Sequence, residues 1–165
     1  MEIMLRFKAI VLLLALAIFS LSACKKDDNE DDNGPDNTFG TVSLKVDGND
    51  WTSDFVISVY EEGLLTVTSS TNDGRACGII VEATQPGTYE VGPGNSENFL
   101  SWAVGDGTVN TYAASSSGGS GTVTITELNN NRAKGTFEFT GVNFDQETKT
   151  ITNGSFTANL SITDF

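Results

Sequence analysis

Cys24 is the residue whose surroundings most clearly predict chemistry in this chain of 165 residues. An apolar segment over residues 9–19 precedes it, and Arg6 and Lys8 precede that segment, as in a secretory signal peptide. The apolar segment is shorter than the roughly 20 residues that a membrane-spanning helix needs. Among ordinary side chains a thiol is the one most readily converted to a thioether. The pattern therefore makes Cys24 a candidate for covalent modification.

The four residues that end at this cysteine, Leu21, Ser22, Ala23 and Cys24, resemble a bacterial lipobox. In a lipobox, a peptidase cuts before a cysteine that already carries diacylglycerol. The resemblance implies a signal peptide over residues 1–23 and a mature chain that begins with the lipidated cysteine. Two or three acyl chains on one residue anchor a protein stably to a membrane, whereas a single chain binds marginally. The alternative is an ordinary signal peptide with a chance cysteine near its cut site.

An acidic segment follows, and residues 25–37 hold six acidic residues, two lysines and no apolar side chain. Such a segment cannot bury enough surface to offset its chain entropy. Residues 24–37 are therefore predicted to be the lipidated cysteine with a disordered acidic tether. The sequence KKDD directly after the cysteine also looks like the surface-export signal of Bacteroidetes lipoproteins. That resemblance implies an outer-membrane protein that faces the cell exterior.

Residues 38–165 are predicted to form one domain, because their number suits a single hydrophobic core. They contain 15 acidic and five basic residues, which gives a net charge of −10. A field of that sign repels phosphate backbones, so nucleic acids are excluded as partners. The membrane, reached through the N-terminal lipid, is the one partner that the sequence predicts, and a glycan or an envelope protein is left open as a second.

Catalytic motifs are missing from the sequence, which has no histidine. This excludes Ser-His-Asp and Cys-His arrangements and removes the commonest ligand of zinc and iron. No glycine-rich segment extends to a phosphate-binding loop, and no cofactor is predicted. The chain is therefore predicted not to be an enzyme. A hydrolase that uses two carboxylates stays open as an alternative, because acidic residues occur on many predicted strands.

The acidic segment partly matches the calcium-binding loop of an EF-hand, with Asn29, Asp31, Asn33 and Gly34 at the positions that open such a loop. The twelfth position, however, is Gly40 and not the required bidentate glutamate, and no helical pattern flanks the segment. No metal site is predicted.

Past residue 38, β-branched residues alternate with polar ones, which predicts an all-β domain. Turns rich in glycine, asparagine and aspartate separate the strands and favour antiparallel pairing. The predicted fold is an antiparallel β-sandwich of about ten short strands, and a closed, lipocalin-like antiparallel β-barrel is the alternative. Residues 113–121 and 91–98 are predicted to be mobile surface loops. The predicted strands cover residues 41–47, 52–60, 64–70, 75–83, 88–91, 99–104, 109–114, 122–128, 136–142 and 156–163.

The alternation also assigns faces to the larger side chains. Trp51 shares its parity with Phe55 and Ile57, so all three are predicted to point into the core. Trp102 is predicted to be a second core anchor. Cys77 alternates in phase with three apolar residues, which predicts a buried structural thiol.

Tyr60 and Tyr112 have the opposite parity to the most apolar face of their predicted strands. An exposed tyrosine can pack against a sugar ring or contribute to an interface. These two residues are the candidates for ligand binding, with Cys24 the candidate for lipidation.

Several short motifs together are similar to a family of uncharacterised Bacteroidetes lipoproteins. The motifs are VSLKVDGNDW at 42–51, PGTYEVG at 86–92, GTVTITEL at 121–128, KGTFEFT at 134–140 and ITNGSFTANL at 151–160. The resemblance implies one all-β extracytoplasmic domain on a lipid anchor, with no activity or catalytic residue to carry over.

These observations predict a lipid-anchored lipoprotein of the cell envelope whose β-domain binds or adheres without catalysis. A barrel that faces the periplasm and holds a small apolar ligand is an alternative, as is the two-carboxylate hydrolase.

Overall fold

The computed structural model describes residues 39–105 and 110–160. They form eleven β-strands, and no α-helix occurs among them. All strand pairs are antiparallel, which confirms the predicted all-β fold with one strand more than expected. The strands are β1 (Gly40–Val46), β2 (Asn49–Thr52), β3 (Phe55–Glu61), β4 (Leu64–Ser70), β5 (Arg75–Glu82), β6 (Gly87–Val91), β7 (Phe99–Val104), β8 (Thr111–Ala114), β9 (Ser120–Asn129), β10 (Arg132–Val142) and β11 (Thr148–Asn159).

The strands belong to one hydrogen-bonded sheet, whose main path runs β2-β1-β11-β10-β8-β7-β5-β4-β3. The sheet divides at β10. One edge of β10 pairs with β11, whereas the other edge pairs with β9 over most of its length and with β8 only at Val142. One arm of the sheet therefore continues through β9 to β6, and the other continues through β8 to β3.

The sheet curls around its core, as the contact between two tryptophans demonstrates. Trp51 lies on β2 and Trp102 on β7, five strand positions apart along the path, or about 24 Å in a flat sheet. Their ring centroids are nevertheless 5.1 Å apart in an edge-to-face arrangement. Both indoles are buried, which confirms them as core anchors. The curled sheet is consistent with the predicted sandwich and with the alternative barrel.

The prediction of one strand over residues 52–60 is wrong, because the chain bends at Ser53 and Asp54 between β2 and β3. The Ser53 hydroxyl accepts a hydrogen bond from the Val42 amide at 3.0 Å, and the Ser53 amide donates to the Val42 carbonyl at 2.9 Å. The buried serine thus continues the pairing with β1 while the next residue leaves it.

This bend reverses the alternation on β3. Val56 and Ser58 point into the core, whereas Phe55 is 56% exposed and Ile57 is 67% exposed. The expectation that Phe55 and Ile57 are buried is therefore wrong. Asp54 and Phe55 are both exposed, so the phase of burial slips by one residue at the bend, and alternation counted across it gives the wrong face.

Two tight hairpins use backbone geometry that the sequence predicts. Asp47 and Gly48 between β1 and β2 have φ values of 48° and 87°, and Glu62 and Gly63 between β3 and β4 have values of 50° and 87°. Positive φ at both central residues is typical of the type I′ turn, which suits the twist of paired strands. Glu62 is the less usual occupant, since acidic residues other than aspartate rarely adopt this conformation.

The two segments predicted to be mobile loops are hydrogen-bonded. Within residues 113–121, Ser115 and Gly118 close a tight turn through hydrogen bonds in both directions, at 2.8 and 3.1 Å. Within residues 91–98, the buried Asn98 accepts a hydrogen bond from the Glu82 amide and donates one to the Glu90 carbonyl. These contacts connect β5 to β6, and the mobility of the two segments stays a prediction.

A single apolar core lies inside the curled sheet. Its members are Val42, Leu44, Trp51, Val56, Leu65, Val67, Cys77, Ile79, Val81, Ala83, Val91, Leu100, Trp102, Tyr112, Ala114, Val123, Ile125, Ala133, Phe137, Phe139, Ile151, Phe156 and Ala158. Within the ranges given above, no helix has the length and apolar character needed to cross a membrane.

Candidate functional site

Six neighbouring strands, in the order β6-β9-β10-β11-β1-β2, present an outer surface made mostly of serine and threonine, here called the hydroxyl face. One row of directly paired residues crosses all six strands, and none of its members is buried. Directly paired residues lie on the same side of a sheet, and six strands span about 24 Å. The row consists of Thr88, Thr124, Thr136, Ser155, Ser43 and Thr52.

Part of this row is internally hydrogen-bonded. The hydroxyls of Thr88 and Thr124 are 3.0 Å apart, and those of Ser43 and Ser155 are 2.9 Å apart. Each hydroxyl has one donor and two acceptor sites, so a paired hydroxyl still has capacity for another partner. The row is therefore an ordered array of polar groups that can bond to a ligand or to water.

Two shallow grooves lie on the hydroxyl face and share Thr122 and Glu138. Their volumes are about 390 and 350 Å³, which is within the range of small-molecule binding sites. The first groove is lined by Thr122, Thr124, Thr136, Phe137, Glu138, Asn153, Gly154 and Ser155. The second is lined by Ser120, Gly121, Thr122, Glu138, Phe139, Thr140, Thr150, Ile151 and Thr152.

A β-bulge on β11 shapes these grooves. Phe137 pairs with Gly154 and Phe139 pairs with Ile151, so two residues of β11, Thr152 and Asn153, oppose the single residue between them on β10. Asn153 has a φ of 52°, a left-handed conformation that asparagine tolerates better than most residues. Bulges redirect side chains and are frequent near functional sites. Here the bulge places Asn153 in the lining of the first groove.

Gly154 is required where β11 passes β10 at this bulge. A Cβ atom at that position would lie 2.5 Å from the carbonyl oxygen of Phe137 and 2.7 Å from its ring. The glycine of the TNGSF motif thus permits the close approach of the strands beneath the groove.

Glu138 is the one acidic residue among those that line the two grooves. Its side chain is exposed and has neither a hydrogen bond nor an ion pair with any residue in the described ranges. An ionised carboxylate has two oxygens that accept hydrogen bonds and donates none. The centre of the face therefore offers an acceptor that no protein group occupies.

Both lysines of the hydroxyl face are neutralised by neighbouring acids. Lys45 lies 2.8 Å from Asp50, and Lys134 lies 3.5 Å from Glu127. No basic residue lines either groove, so the negative charge of Glu138 favours cations or neutral hydrogen-bond donors over anions there.

The two tyrosines expected to be exposed are not placed as predicted. Tyr112 is a core residue at 9% exposure, and its hydroxyl donates to Glu147 at 3.4 Å. The expectation of an exposed ring is wrong for Tyr112. Its neighbours on β8 are threonine and alanine, so neither face of that strand is clearly apolar in the sequence. Tyr60 is half-buried and its hydroxyl donates to the Ala83 carbonyl at 3.0 Å. Neither tyrosine lines a groove of the hydroxyl face.

Of the two cysteines, Cys77 is among the described residues and Cys24 is not. The lipidation of Cys24 therefore stays a prediction. Cys77 is 1% exposed, which confirms the expected buried thiol, and burial raises its pKa to about 12. A thiol that stays protonated and inaccessible is a packing element and not a nucleophile.

The hydroxyl face was not predicted from the sequence, although the alternation TVTIT at 122–126 shows outward threonines within one strand. The alignment of hydroxyls between strands depends on register, which a single sequence does not give. Among the described residues, no group of three or more acidic, cysteine or histidine side chains is placed to hold a metal ion.

Residues 40–158 match a family model described as a domain of unknown function, DUF6252. The match runs from the first residue of β1 almost to the end of β11. No curated protein matches the chain.

Proposed function

We propose that this chain, which belongs to the DUF6252 family, is a lipid-anchored lipoprotein of the cell envelope whose β-domain is a non-catalytic module for binding or adhesion. The anchor is the lipid on Cys24, inferred from the lipobox. The location is the outer membrane, with the domain facing the cell exterior, as the KKDD sequence suggests.

The observation that carries the binding role is the hydroxyl face. It combines a row of six hydroxyl side chains with two grooves around an unpaired carboxylate. Glu138 has no second acid beside it in the groove linings, and a glycosidase of the two-carboxylate kind needs a pair. This arrangement supports binding without catalysis over the hydrolase alternative.

The packing of the interior also supports binding at the outer face over the alternative of a barrel that encloses a small apolar ligand. The indoles of Trp51 and Trp102 contact each other across the core, and Leu65, Leu100 and Ile125 are fully buried in the same cluster. Large side chains fill the space that a ligand in the lumen would need.

The attachment point is also compatible with a tethered domain. The Asn159 amide donates to the Phe39 carbonyl at 3.0 Å, so the start of the domain is fixed beside the end of β11. Fourteen residues lie between Cys24 and Phe39, and at full extension the 15 steps from one to the other span at most about 54 Å. A lipid at Cys24 would therefore keep the start of the domain within that distance of the membrane.

The anchor is tested by replacing the cysteine. Cys24→Ala should abolish labelling with palmitate and release the protein from the membrane fraction, whereas Cys77→Ala, the matched control, should leave both unchanged. A Cys24→Ala protein that stays membrane-bound and still labels would contradict the proposal.

A further inference from the structure

We infer that the two grooves around Glu138 bind a neutral glycan chain. This inference rests on the proposed binding function and adds the chemical class of the ligand. It is carried by three properties of the grooves, namely their size, the hydrogen-bonding groups that line them, and their charge.

The size of the grooves suits more than one sugar unit. The two volumes, about 390 and 350 Å³, adjoin at Thr122 and Glu138. Each is separately within the range of small-molecule sites. The row of hydroxyls extends beyond the two grooves across six strands. A chain of sugars can therefore contact hydroxyls that a single sugar bound in one groove cannot reach.

The lining groups match a ligand rich in hydroxyls. The two oxygens of the Glu138 carboxylate can accept hydrogen bonds from adjacent hydroxyls of one sugar ring. The Asn153 amide offers donors and an acceptor, and Thr122, Thr136 and Ser155 each offer both. Such groups satisfy the donors and acceptors of a sugar without requiring a fixed charge on it.

Lipids and other apolar ligands fit these grooves poorly. The large apolar residues in the linings are Phe137, Phe139 and Ile151, and all three are at most 3% exposed because their side chains point into the core. No large apolar side chain is therefore accessible in the linings, and an apolar ligand would find no large apolar group to bury against.

Anionic ligands are disfavoured by charge. The lysines on the face are already paired with Asp50 and Glu127, and no basic residue lines either groove. Phosphate, sulfate or uronate groups would lie near the uncompensated Glu138 carboxylate. The geometry thus selects neutral glycans over acidic ones.

The test uses the full-length protein, purified in mild detergent, on an array of neutral oligosaccharides of at least four hexose units and their sulfated or carboxylated counterparts. Neutral chains should bind and their acidic counterparts should not. The best neutral probe is then titrated by calorimetry against variants whose folding is checked by thermal unfolding.

Two variants remove groove contacts with little change of shape. Glu138→Gln should weaken binding at least about tenfold, because it removes the charge from a charge-assisted hydrogen bond. Thr122→Val should also weaken it by removing a hydroxyl. Glu82→Gln and Thr68→Val, substitutions of the same kinds outside the grooves, should leave the affinity unchanged.

The inference is overturned if no neutral oligosaccharide binds, if acidic chains bind equally well, or if both groove variants keep the affinity of the unmodified protein. If any of these results is found while Cys24 still anchors the protein to the membrane, glycan binding is wrong but the proposal of an anchored binding module stands. If the glycan binds but Cys24 is not lipidated, the anchor is wrong and glycan binding stands.

Discussion

The carboxylate of Asp47 lies 2.7 Å from the Nζ atom of Lys149 and accepts a hydrogen bond from the Thr150 amide at 3.0 Å. The Asp47 amide in turn donates to the Thr150 carbonyl at 2.9 Å. These bonds attach the turn between β1 and β2 to the start of β11. The same turn directs Trp51 into the core, which gives a structural reason for the VDGNDW sequence.

Replacing Asp47 by asparagine should separate the charge of this contact from its backbone geometry. Asparagine tolerates the positive φ of 48°, so the turn should persist. We expect the free energy of unfolding to fall by about 1 kcal/mol or less, because the ion pair is partly exposed. Asp47→Val should lower it further, because a β-branched residue is strained at this φ. Equal losses in urea denaturation would contradict this role for the turn.

Asp73 should titrate at unusually low pH. Hydrogen bonds from Arg75 and then Thr71 lower its pKa from 3.8 to about 2. A carboxyl whose pKa is lowered by folding contributes stability above its unfolded pKa, and this contribution is lost as the pH falls from about 4 towards 2. NMR titration should therefore find the Asp73 midpoint near 2, and Arg75→Gln should move it upward. An unchanged midpoint in that variant would show that Arg75 is not the cause.

The reversed alternation on β3 is tested by a pair of neighbouring substitutions. Val56→Asn places an amide in the core and should unfold the domain or lower its stability by several kcal/mol. Ile57→Asn replaces a side chain that is 67% exposed and should change stability by about 0.5 kcal/mol or less. Thermal unfolding of both variants measures the two losses of stability. A larger loss of stability in Ile57→Asn than in Val56→Asn would mean that Ile57 faces the core, as expected if residues 52–60 form one strand.

Cys77 should resist alkylation in the folded protein, because it is buried and its pKa is raised to about 12. The Cys24→Ala variant makes it the only thiol in the chain. Mass spectrometry should find no modification by iodoacetamide at pH 8 until a denaturant is added. Rapid modification of the native variant would show that the core opens around β5.

The sequence predicts those parts of the fold that local chemistry determines. The turn at Asp47 and Gly48 follows from residues that accept positive φ, and the burial of Trp102 and Cys77 follows from alternation within one uninterrupted strand. Alternation holds up to Ser53 and fails just after it, because Asp54 and Phe55 are both exposed at the bend between β2 and β3.

The candidate site depends on relations that lie beyond one strand. Thr124, Thr136 and Ser155 belong to separate strands, and only the register brings their hydroxyls into one row. The groove around Glu138 depends on the bulge at Asn153, which a sequence pattern of period two does not indicate. The face of Tyr112 does not follow from alternation, because threonine and alanine on both sides give its strand no clear apolar face.

Protease shaving of intact cells tests the central claim, which is a binding domain displayed outside the cell on a lipid anchor. The domain is followed by immunoblotting beside a periplasmic control protein. Surface display predicts that the domain is lost while the control survives, and that prior disruption of the outer membrane exposes both. Protection of the domain until the outer membrane is broken would contradict surface display.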